Sequence, residues 1–435
     1  MDDLYIGVIA FASLLVLIFL RIPVAAAMLL TGAAGYTAIL GWDALMNHFN
    51  SGPFYRFSSY DLAVIPMFLL MAQFATVANL NKTLFSACNS WFGSVRGGLA
   101  MASITSCAFF GAISGSSLAT TLTMSKVALP EMQRHGYSNQ LSAGVLAAGG
   151  TLGILIPPSI ALVIYALLTE QNISKLFIAA AVPGIIATIG YLLAVQVYVR
   201  LFPSVGPQTH KASAVERLSA LLRVTPVLAI FLGLLGGIYG GVFTVTEGAA
   251  IGAFATWLLA QLKRQLDRQA LMKIFRETAV TTGLVFFIIL GADLFNSVIV
   301  LSNIPNAFAD AITSMHLSAT AVIIILLLIY LALGCFLDSM SMLLLTVPIF
   351  FPVVMSLNFN MPPEHTAIWF GVLAVVAIEI GLITPPVGMN IFVLKSQAEH
   401  INLLECYKGV TPFIIADILR LAILVAWPGI VLIFL

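Results

Sequence analysis

The chain has 435 residues, of which 60% are hydrophobic and only 9% are charged, and its mean hydropathy is +1.06. A soluble protein of this length could not bury so much apolar surface, whereas a bilayer accepts one apolar helix for every run of about 20 such residues. The net charge of +1 argues against a nucleic-acid partner. The composition therefore indicates an all-α polytopic membrane protein.

The first apolar run is interpreted as a retained membrane helix. The segment MDDLYIGVIAFASLLVLIFL begins with acidic residues, and a small-residue cleavage site does not follow it. A secretory signal peptide has a basic start and such a cleavage site. We therefore expect this segment to remain as the first helix.

Cysteine and histidine placement argues against a metal centre or an intramembrane protease. The four cysteines form no CxxC motif, and the six histidines lie between the apolar runs or at their ends. The sequence also contains no HExxH or GxGD motif. We expect no disulfide framework, no zinc site, no organic cofactor and no enzymatic activity.

Apolar runs long enough to cross a bilayer occur at ten places: 4–20, 23–41, 61–79, 139–168, 175–202, 218–240, 241–262, 277–299, 366–397 and 408–434. Two further apolar regions, 97–130 and 320–355, are interrupted midway by FFGAISGSSLATT and LGCFLDSMSMLLLT. Each interruption predicts a re-entrant helical hairpin that enters and leaves the membrane on one side.

The distribution of basic residues predicts the orientation in the membrane. With both termini outside, all of the 19 Lys and Arg residues except Arg56, Lys175 and Arg420 fall on the inside or at inner loops. Arg56 and Lys175 lie outside, and Arg420 lies near the cytoplasmic end of the last helix. Because cytoplasmic loops are enriched in Lys and Arg, the opposite orientation is disfavoured.

An internal repeat organises the chain. GILIPPS at 153–159 recurs as GLITPPV at 381–387, 228 residues later, and the hairpin interruptions match at an offset of 223. Each half then contains three helices, a hairpin, a proline-broken helix and a final helix. Five crossings per half is an odd number, so the second half is predicted to be inserted upside down relative to the first. The polar stretch 202–220 links the halves.

The proline pairs explain why two membrane helices are broken. Proline lacks an N–H and obstructs the carbonyl of the preceding turn, so Pro157–Pro158 and Pro385–Pro386 free backbone oxygens at mid-membrane depth. Such oxygens are costly in lipid unless they meet a cation, water or another chain. The half-helix that follows begins with its positive dipole end at the gap. Paired breaks of this kind predict a secondary transporter with a midplane site.

These motifs carry a family resemblance. GILIPPS, EIGLITPPVGMN, the hairpin tips GAISGSS and GCFLDSMS, and TEGAA at 246–250 resemble the large membrane subunit of tripartite ATP-independent periplasmic (TRAP) transporters. The resemblance covers essentially the whole chain. This family is similar in architecture to the sodium-coupled dicarboxylate carriers of the ion-transporter superfamily.

The resemblance implies a function and partners. It implies sodium-coupled import of an organic acid, such as a C4-dicarboxylate, a 2-oxo acid, a sugar acid or sialic acid, across the bacterial inner membrane, without an ATPase. It also implies a separate small four-helix membrane subunit and a periplasmic substrate-binding protein. Both termini would then be periplasmic.

The resemblance further implies an elevator, in which a transport domain slides past a scaffold embedded in membrane lipid. Residues 1–90 and 218–315 would form the scaffold. Residues 91–202 and 316–435 would form the transport domain, with 203–217 as a cytoplasmic linker.

Mapped onto this sequence, the family architecture predicts two sodium sites and a substrate site at the breaks. The first sodium site would use Gly111, Ser114, Gly115, Ser116, Thr151 and Gly153. The second would use Gly334, Asp338, Ser339, Glu379, Gly381 and Thr384. The substrate would meet Ser116, Ser117, Pro157, Pro158, Pro385, Pro386 and Asn390, the last of which could instead donate to a hairpin tip. No arginine is predicted at a break, so helix N-termini and hydroxyls would bind the anion.

Structural interpretations compete with these assignments. Small residues let membrane helices pack closely, and Ser116, Ser117 and Asp338 are equally explained as helix N-caps. Of the acids within apolar segments, Asp338 is the preferred functional candidate and Glu379 is expected to brace its broken helix by accepting hydrogen bonds. Glu247 is expected to be structural, and Asp293 to face the small subunit or a neighbouring helix. Asp417 and Arg420 are expected to pair locally.

Other functions also stay open. A buried carboxylate at Asp338 would permit proton coupling, and a carrier that works without a binding protein fits the same sequence. A channel usually assembles its pore from symmetric subunits, which an inverted repeat within one chain does not resemble. Two segments suggest contacts outside the core: the amphipathic stretch 80–98 as a cytoplasmic arm, and the aromatic stretch 41–61 as an external docking surface.

Overall fold

The computed structural model describes residues 3–209, 212–314 and 317–435, and the residues it describes form helices and turns without a β-strand. The first half contains α1 (Asp3–Phe19), α2 (Val24–Leu40), α3 (Trp42–Phe57), α4 (Val64–Val77), α5 (Leu80–Phe92), α6 (Gly98–Ser114), α7 (Ser117–Arg134), α8 (Asn139–Leu155), α9 (Ile160–Thr169) and α10 (Ile173–Leu201). The second half contains α11 (Ala214–Tyr239), α12 (Val245–Leu262), α13 (Arg268–Leu301), α14 (Ile304–Ser314), α15 (Ala319–Gly334), α16 (Ser339–Ser356), α17 (Pro363–Ile383), α18 (Met389–Gln397), α19 (Leu403–Ala426) and α20 (Gly429–Leu432). The all-α prediction is confirmed.

The described helices have the length and composition that a bilayer requires. Nine helical stretches within the described ranges are long and apolar enough to cross a membrane, and α1, α2, α6 and α15 are shorter apolar helices. The structure therefore confirms a polytopic membrane protein.

Both predicted hairpins and both predicted broken helices are present. Helices α6 and α7 form the first hairpin, and α15 and α16 form the second. The break between α8 and α9 contains Pro157–Pro158, and the break between α17 and α18 contains Pro385–Pro386. Each proline pair is joined by a cis peptide bond. The two halves thus share the order hairpin, broken helix and long final helix, while their inverted orientation stays a prediction.

The structure adds detail to the sequence-based boundaries. The stretch 41–61 forms helix α3 across most of its length despite Pro53, with Trp42, Phe54 and Tyr55 exposed. Helix α13 begins at Arg268 instead of 277, because the Asp267 side chain caps it by accepting from the Ala270 N–H. The last span ends its main helix at Ala426, just before Pro428, which cannot continue the hydrogen-bond ladder.

Helix starts are set by local sequence signals. Thr244 and Glu247 form a reciprocal capping box at the start of α12, in which the Thr244 N–H donates to Glu247 Oε2 at 2.8 Å. The structural interpretation of Glu247 is therefore confirmed.

The amphipathic stretch 80–98 forms α5, which packs against α6 and α11. Helix α14 holds the corresponding place in the second half, between α13 and the hairpin helix α15.

The broken helices lie at the centre of the molecule. Every residue of α8 from Leu141 to Leu155 is buried, as is every residue of α17 from Thr366 to Ile383. Helix α8 contacts α6, α7, α17 and α19. Helices α2, α4, α12 and α13 pack mainly on one another at one side. This grouping is the one an elevator needs, while the scaffold and transport boundaries stay a prediction.

Close packing around α8 depends on glycine residues, which have no side chain. A Cβ atom added to Gly144 would lie 2.0 Å from the Gly409 carbonyl oxygen, and a Cβ atom added to Gly409 would lie 2.0 Å from the Gln140 carbonyl oxygen. Backbone atoms cannot move aside as a flexible side chain does. Helices α8 and α19 can therefore cross this closely only with glycine at both positions.

We expect Gly144→Ala and Gly409→Ala each to lower the free energy of unfolding by about 1–3 kcal/mol, because overpacking forces the two backbones apart. Thermal unfolding of the purified protein in detergent, followed by tryptophan fluorescence, measures the effect. Gly283→Ala on α13 is the matched control, since a Cβ atom there meets nothing within 4 Å. Equal unfolding temperatures for all three variants would contradict the packing argument.

Candidate functional site

The first hairpin tip contacts the first broken helix through backbone atoms. A Cβ atom added to Gly111 would lie 2.6 Å from Gly153 Cα, and one added to Gly153 would lie 2.9 Å from the Ser116 carbonyl oxygen. The Ile160 N–H, at the start of α9, lies 3.4 Å from the Gly115 carbonyl oxygen that accepts its hydrogen bond. Four residues of the predicted first sodium site, Gly111, Gly115, Ser116 and Gly153, are thus brought together.

Hydroxyl groups surround this contact. Ser114 Oγ lies 2.7 Å from Thr120 Oγ1, and Thr120 Oγ1 donates to the Ser116 carbonyl oxygen at 2.8 Å. Ser116 Oγ accepts from the Ala119 N–H, which confirms it as the N-cap of α7. Thr120 was not among the predicted site residues. Its position one helical turn after the N-cap Ser116 is the sequence signal that indicates it. The cluster is rich in neutral oxygen atoms.

The second hairpin tip repeats the contact. A Cβ atom added to Gly334 would lie 2.9 Å from Gly381 Cα, and one added to Gly381 would lie 2.6 Å from Gly334 Cα. The Gly388 N–H donates to the Cys335 carbonyl oxygen at 3.2 Å. Gly388 has a φ of +65°, which a glycine adopts without strain. Both halves therefore use a glycine pair and one N–H···O bond to join hairpin and break.

Asp338 is the N-cap of α16. Its carboxylate accepts from the Met340 N–H at 3.0 Å, from the Ser341 N–H at 3.2 Å and from the Ser341 hydroxyl. The capping interpretation is confirmed, and Ser339 is the first residue of the capped helix. A role for Asp338 and Ser339 as sodium ligands stays a prediction.

Asn390 links the second broken helix to the first hairpin. Its fully buried amide donates to Ser117 Oγ at 2.7 Å and to the Ala147 carbonyl oxygen at 3.0 Å. The expected contact between Asn390 and a hairpin tip is confirmed. Since Ser117 makes this bond instead of capping α7, the N-cap interpretation of Ser117 is wrong.

The two proline pairs differ in exposure. Pro157 and Pro158 are buried, and the Ser159 hydroxyl donates to the nearby Ile154 carbonyl oxygen. Pro385 and Pro386 are exposed, and the Tyr407 hydroxyl donates to the Pro386 carbonyl oxygen. Hydroxyl groups of the protein thus satisfy part of the backbone that each break releases.

Thr384 stands at the C-terminal end of α17, directly before this exposed pair. Its hydroxyl donates to the Ile380 carbonyl oxygen at 2.6 Å. The oxygen atom keeps its lone pairs, so sodium binding by Thr384 stays a prediction.

The side chains of Thr151 and Glu379 belong to a different cluster. We call this cluster the buried network, and it consists of Thr151, Tyr191, Asp417, Arg420 and Glu379. Arg420 Nη2 lies 2.7 Å from Glu379 Oε2 and 3.0 Å from Asp417 Oδ1. Tyr191 Oη donates to Asp417 Oδ2 at 2.6 Å and lies 3.1 Å from Thr151 Oγ1. All five side chains are buried.

The buried network confirms the Asp417–Arg420 pair and extends it to a second helix. Arg420 on α19 reaches Glu379 on α17, two residues before Gly381. Glu379 accepts a hydrogen bond from Arg420, as bracing of α17 requires. Sodium binding by Thr151 and Glu379 stays a prediction. An arginine inside an apolar run was the signal that sequence reasoning undervalued.

Asp293 faces a neighbouring helix. Its carboxylate lies 3.6 Å from Arg56 Nε and 3.5 Å from His48 Nε2, and both partners belong to α3. Of the two predicted surroundings, the neighbouring helix is therefore the observed one.

Within the described ranges, no group of three or more His, Cys, Asp and Glu residues is arranged to hold a metal ion.

Comparison with known proteins identifies a family. Residues 11–430 match the family model described as "Tripartite ATP-independent periplasmic transporter, DctM component". A C4-dicarboxylate TRAP transporter large permease protein DctM from Pseudomonas aeruginosa is 37% identical over 78% of this chain and 77% of its own length. A Vibrio cholerae protein of the same name is 32% identical over 82% and 81%, respectively. The sialic acid TRAP transporter large permease protein SiaM of Vibrio cholerae is 29% identical over 85% of each chain.

A solved structure shares the fold. The YdaH transporter of Alcanivorax borkumensis, described as having an unusual topology, superimposes with a TM-score of 0.61 and 15% sequence identity, covering 89% of each chain. At this level of identity the similarity concerns the arrangement of helices alone.

We expect Asn390→Ala to lower the free energy of unfolding by about 1–3 kcal/mol, because it leaves the buried Ser117 hydroxyl and Ala147 carbonyl without their donor. Asn47→Ala, at an exposed position of α3, is the control and should change stability by less than about 0.5 kcal/mol. Thermal unfolding in detergent checks both values. If the two variants unfold at the same temperature, Asn390 does not hold the halves together.

Proposed function

Because the chain belongs to the DctM family, the large permease subunits of TRAP transporters, we propose that it imports an organic acid anion by sodium-coupled elevator transport. The supporting observation is the repeated contact between hairpin and break. In each half a glycine pair brings the backbone of a hairpin tip against the backbone of a broken helix, and one N–H···O bond joins them. Such discontinuous helices are where secondary transporters bind coupling ions and substrates.

Sodium suits the donor atoms at these contacts. Sodium is a hard cation, like those that proteins hold with carbonyl, hydroxyl and carboxylate oxygens. The first site would use Gly111, Ser114, Gly115, Ser116, Thr151 and Gly153, and the second would use Gly334, Asp338, Ser339, Glu379, Gly381 and Thr384. For Thr151 the ligand would be the backbone carbonyl oxygen, because its side chain contacts Tyr191, and Glu379 Oε2 is likewise engaged with Arg420.

Helix N-termini would bind the substrate anion. Helices α7, α9 and α18 all begin at the hairpin tip or the breaks, where the positive end of each helix dipole favours negative charge. The substrate would contact Ser116, Ser117 and the four prolines of the breaks, with Asn390 holding the Ser117 hydroxyl in place. Relatives named for C4-dicarboxylates and sialic acid support an organic acid of this class.

The proposal includes a moving domain and two partners. Helices α2, α4, α12 and α13 would form the fixed scaffold with a small four-helix membrane subunit. The hairpins, the broken helices, α10 and α19 would move and carry the site. A periplasmic binding protein would deliver the substrate to the outer face, and the N- and C-termini would lie in the periplasm.

We expect uptake by proteoliposomes that contain the chain, its small subunit and its binding protein to stop when external sodium is replaced by choline. The inward sodium gradient is the proposed energy source, so the internal substrate concentration should no longer exceed the external one. Radiolabelled organic acid measures the accumulation. Uptake that continues in choline, follows an imposed pH gradient and fails in Asp338→Asn would instead establish proton coupling.

We expect Ser114→Ala to raise the sodium concentration for half-maximal uptake by about tenfold, because losing one charge-assisted ligand bond costs about 1.5 kcal/mol. Ser103→Ala is the matched control on the same helix: its buried hydroxyl donates to the Leu99 carbonyl oxygen at 2.8 Å, far from the tip. An equal sodium dependence in both variants would remove Ser114 from the proposed site.

A further inference from the structure

We propose that the buried network is a positioning device that fixes the two broken helices relative to each other and thereby couples the two sodium sites. The inference rests on the proposed sodium-coupled transport. It assigns Tyr191, Asp417 and Arg420 a role in that transport although none of them lies at a hairpin tip. They are positioning residues, since they act through Thr151 and Glu379.

The two ends of the buried network occupy equivalent positions in the repeat. Thr151 lies two residues before Gly153, and Glu379 lies two residues before Gly381. Those two glycines are the ones that contact Gly111 and Gly334 in the hairpin tips. The network therefore begins and ends at matching points, one beside each proposed sodium site.

Three of the four links of the network cross from one helix to another, and the fourth, between Asp417 and Arg420, lies within α19. Thr151 on α8 contacts Tyr191 on α10, at 3.1 Å between the hydroxyl oxygens. Tyr191 donates to Asp417 on α19, and Arg420 on the same helix donates to Glu379 on α17. Helices α10 and α19 are the last long helices of their respective halves. A displacement of one broken helix is thus transmitted by direct contacts to the other.

Charge connects α17 to α19. Both carboxylates contact the same nitrogen atom, Arg420 Nη2, so a shift of α17 would change the contact between Arg420 and Asp417. Buried ions tolerate little separation, because a charge that loses its partner in a low-dielectric interior is strongly destabilising. Coupling between sites needs a physical element that both sites bias, and the proposal assigns that role to this network.

The Tyr191 hydroxyl is the link that can be tested without leaving an unpaired arginine. Tyr191→Phe and Thr151→Val preserve volume and the Arg420 ion pairs. Thr151→Val interrupts the contact between α8 and α10, whereas Tyr191→Phe also removes the hydrogen bond to Asp417 on α19. The matched controls are Tyr330→Phe and Thr346→Val. Thr346 Oγ1 donates to Tyr330 Oη at 2.8 Å, and this pair is equally buried but lies within the second hairpin.

The experiment measures the sodium dependence of uptake in proteoliposomes, together with the rise in unfolding temperature that sodium chloride, but not choline chloride, causes in detergent. We expect a wild-type Hill coefficient above 1.5, falling to about 1 in Tyr191→Phe and Thr151→Val. We also expect a threefold or larger rise in half-saturating sodium in both. The controls should keep the wild-type Hill coefficient, even if their unfolding temperatures fall equally. Arg420→Lys, which keeps a charge beside both carboxylates, should keep more cooperativity than Arg420→Gln.

The outcomes separate this inference from the proposed function. If wild-type uptake is driven by sodium but has a Hill coefficient of 1, or if the network variants match their controls, the coupling role is wrong and sodium-coupled transport stands. If sodium changes neither wild-type uptake nor the unfolding temperature, the proposed function is wrong, and the coupling role fails with it.

Discussion

The contact between a hairpin tip and a proline-broken helix is the constraint on which the rest of the structure depends. Each of these two elements alone would expose unpaired backbone groups, which a bilayer interior does not tolerate. Together they supply hydrogen-bond partners to one another, because the N–H groups of Ile160 and Gly388 donate to carbonyl oxygens of the two tips. The approach is possible because Gly111, Gly153, Gly334 and Gly381 have no side chains. Burial of α8 and α17 on all sides follows, since both must lie between the hairpins.

Local signals were sufficient to predict this framework. Proline pairs and small polar interruptions within apolar runs predicted both breaks and both hairpins, because these residues act on the backbone of their own segment. The buried network could not be predicted in the same way. Tyr191 and Asp417 are 226 residues apart, and Arg420 is 41 residues from Glu379. Only the packing of α10 and α19 against the broken helices brings them together. Ser117 is predicted to cap α7 but forms a hydrogen bond with Asn390 instead, and this bond also depends on a contact between the two halves.

The two breaks are similar in construction and different in surroundings. Pro157 and Pro158 are covered by protein, whereas Pro385 and Pro386 are exposed beside Tyr407. A repeat in sequence therefore does not make the two sites equivalent in one conformation. In the proposed transport cycle, the substrate would therefore reach the prolines of the second break more readily than those of the first from this arrangement.

The acids within the apolar segments all have protein partners. Asp293 contacts α3, Glu247 belongs to a capping box, Asp338 caps α16, and Glu379 and Asp417 share Arg420. In this chain these five carboxylates thus all contribute to fixing helices in place. The atoms left to bind a mobile cation at the first tip are neutral carbonyl and hydroxyl oxygens. Such atoms hold a dehydrated monovalent ion without the strong attraction of a free carboxylate, and a transported ion must also be released. The proposed second site differs from the first in this respect, because it also includes Asp338, whose carboxylate already accepts hydrogen bonds from N–H groups of α16.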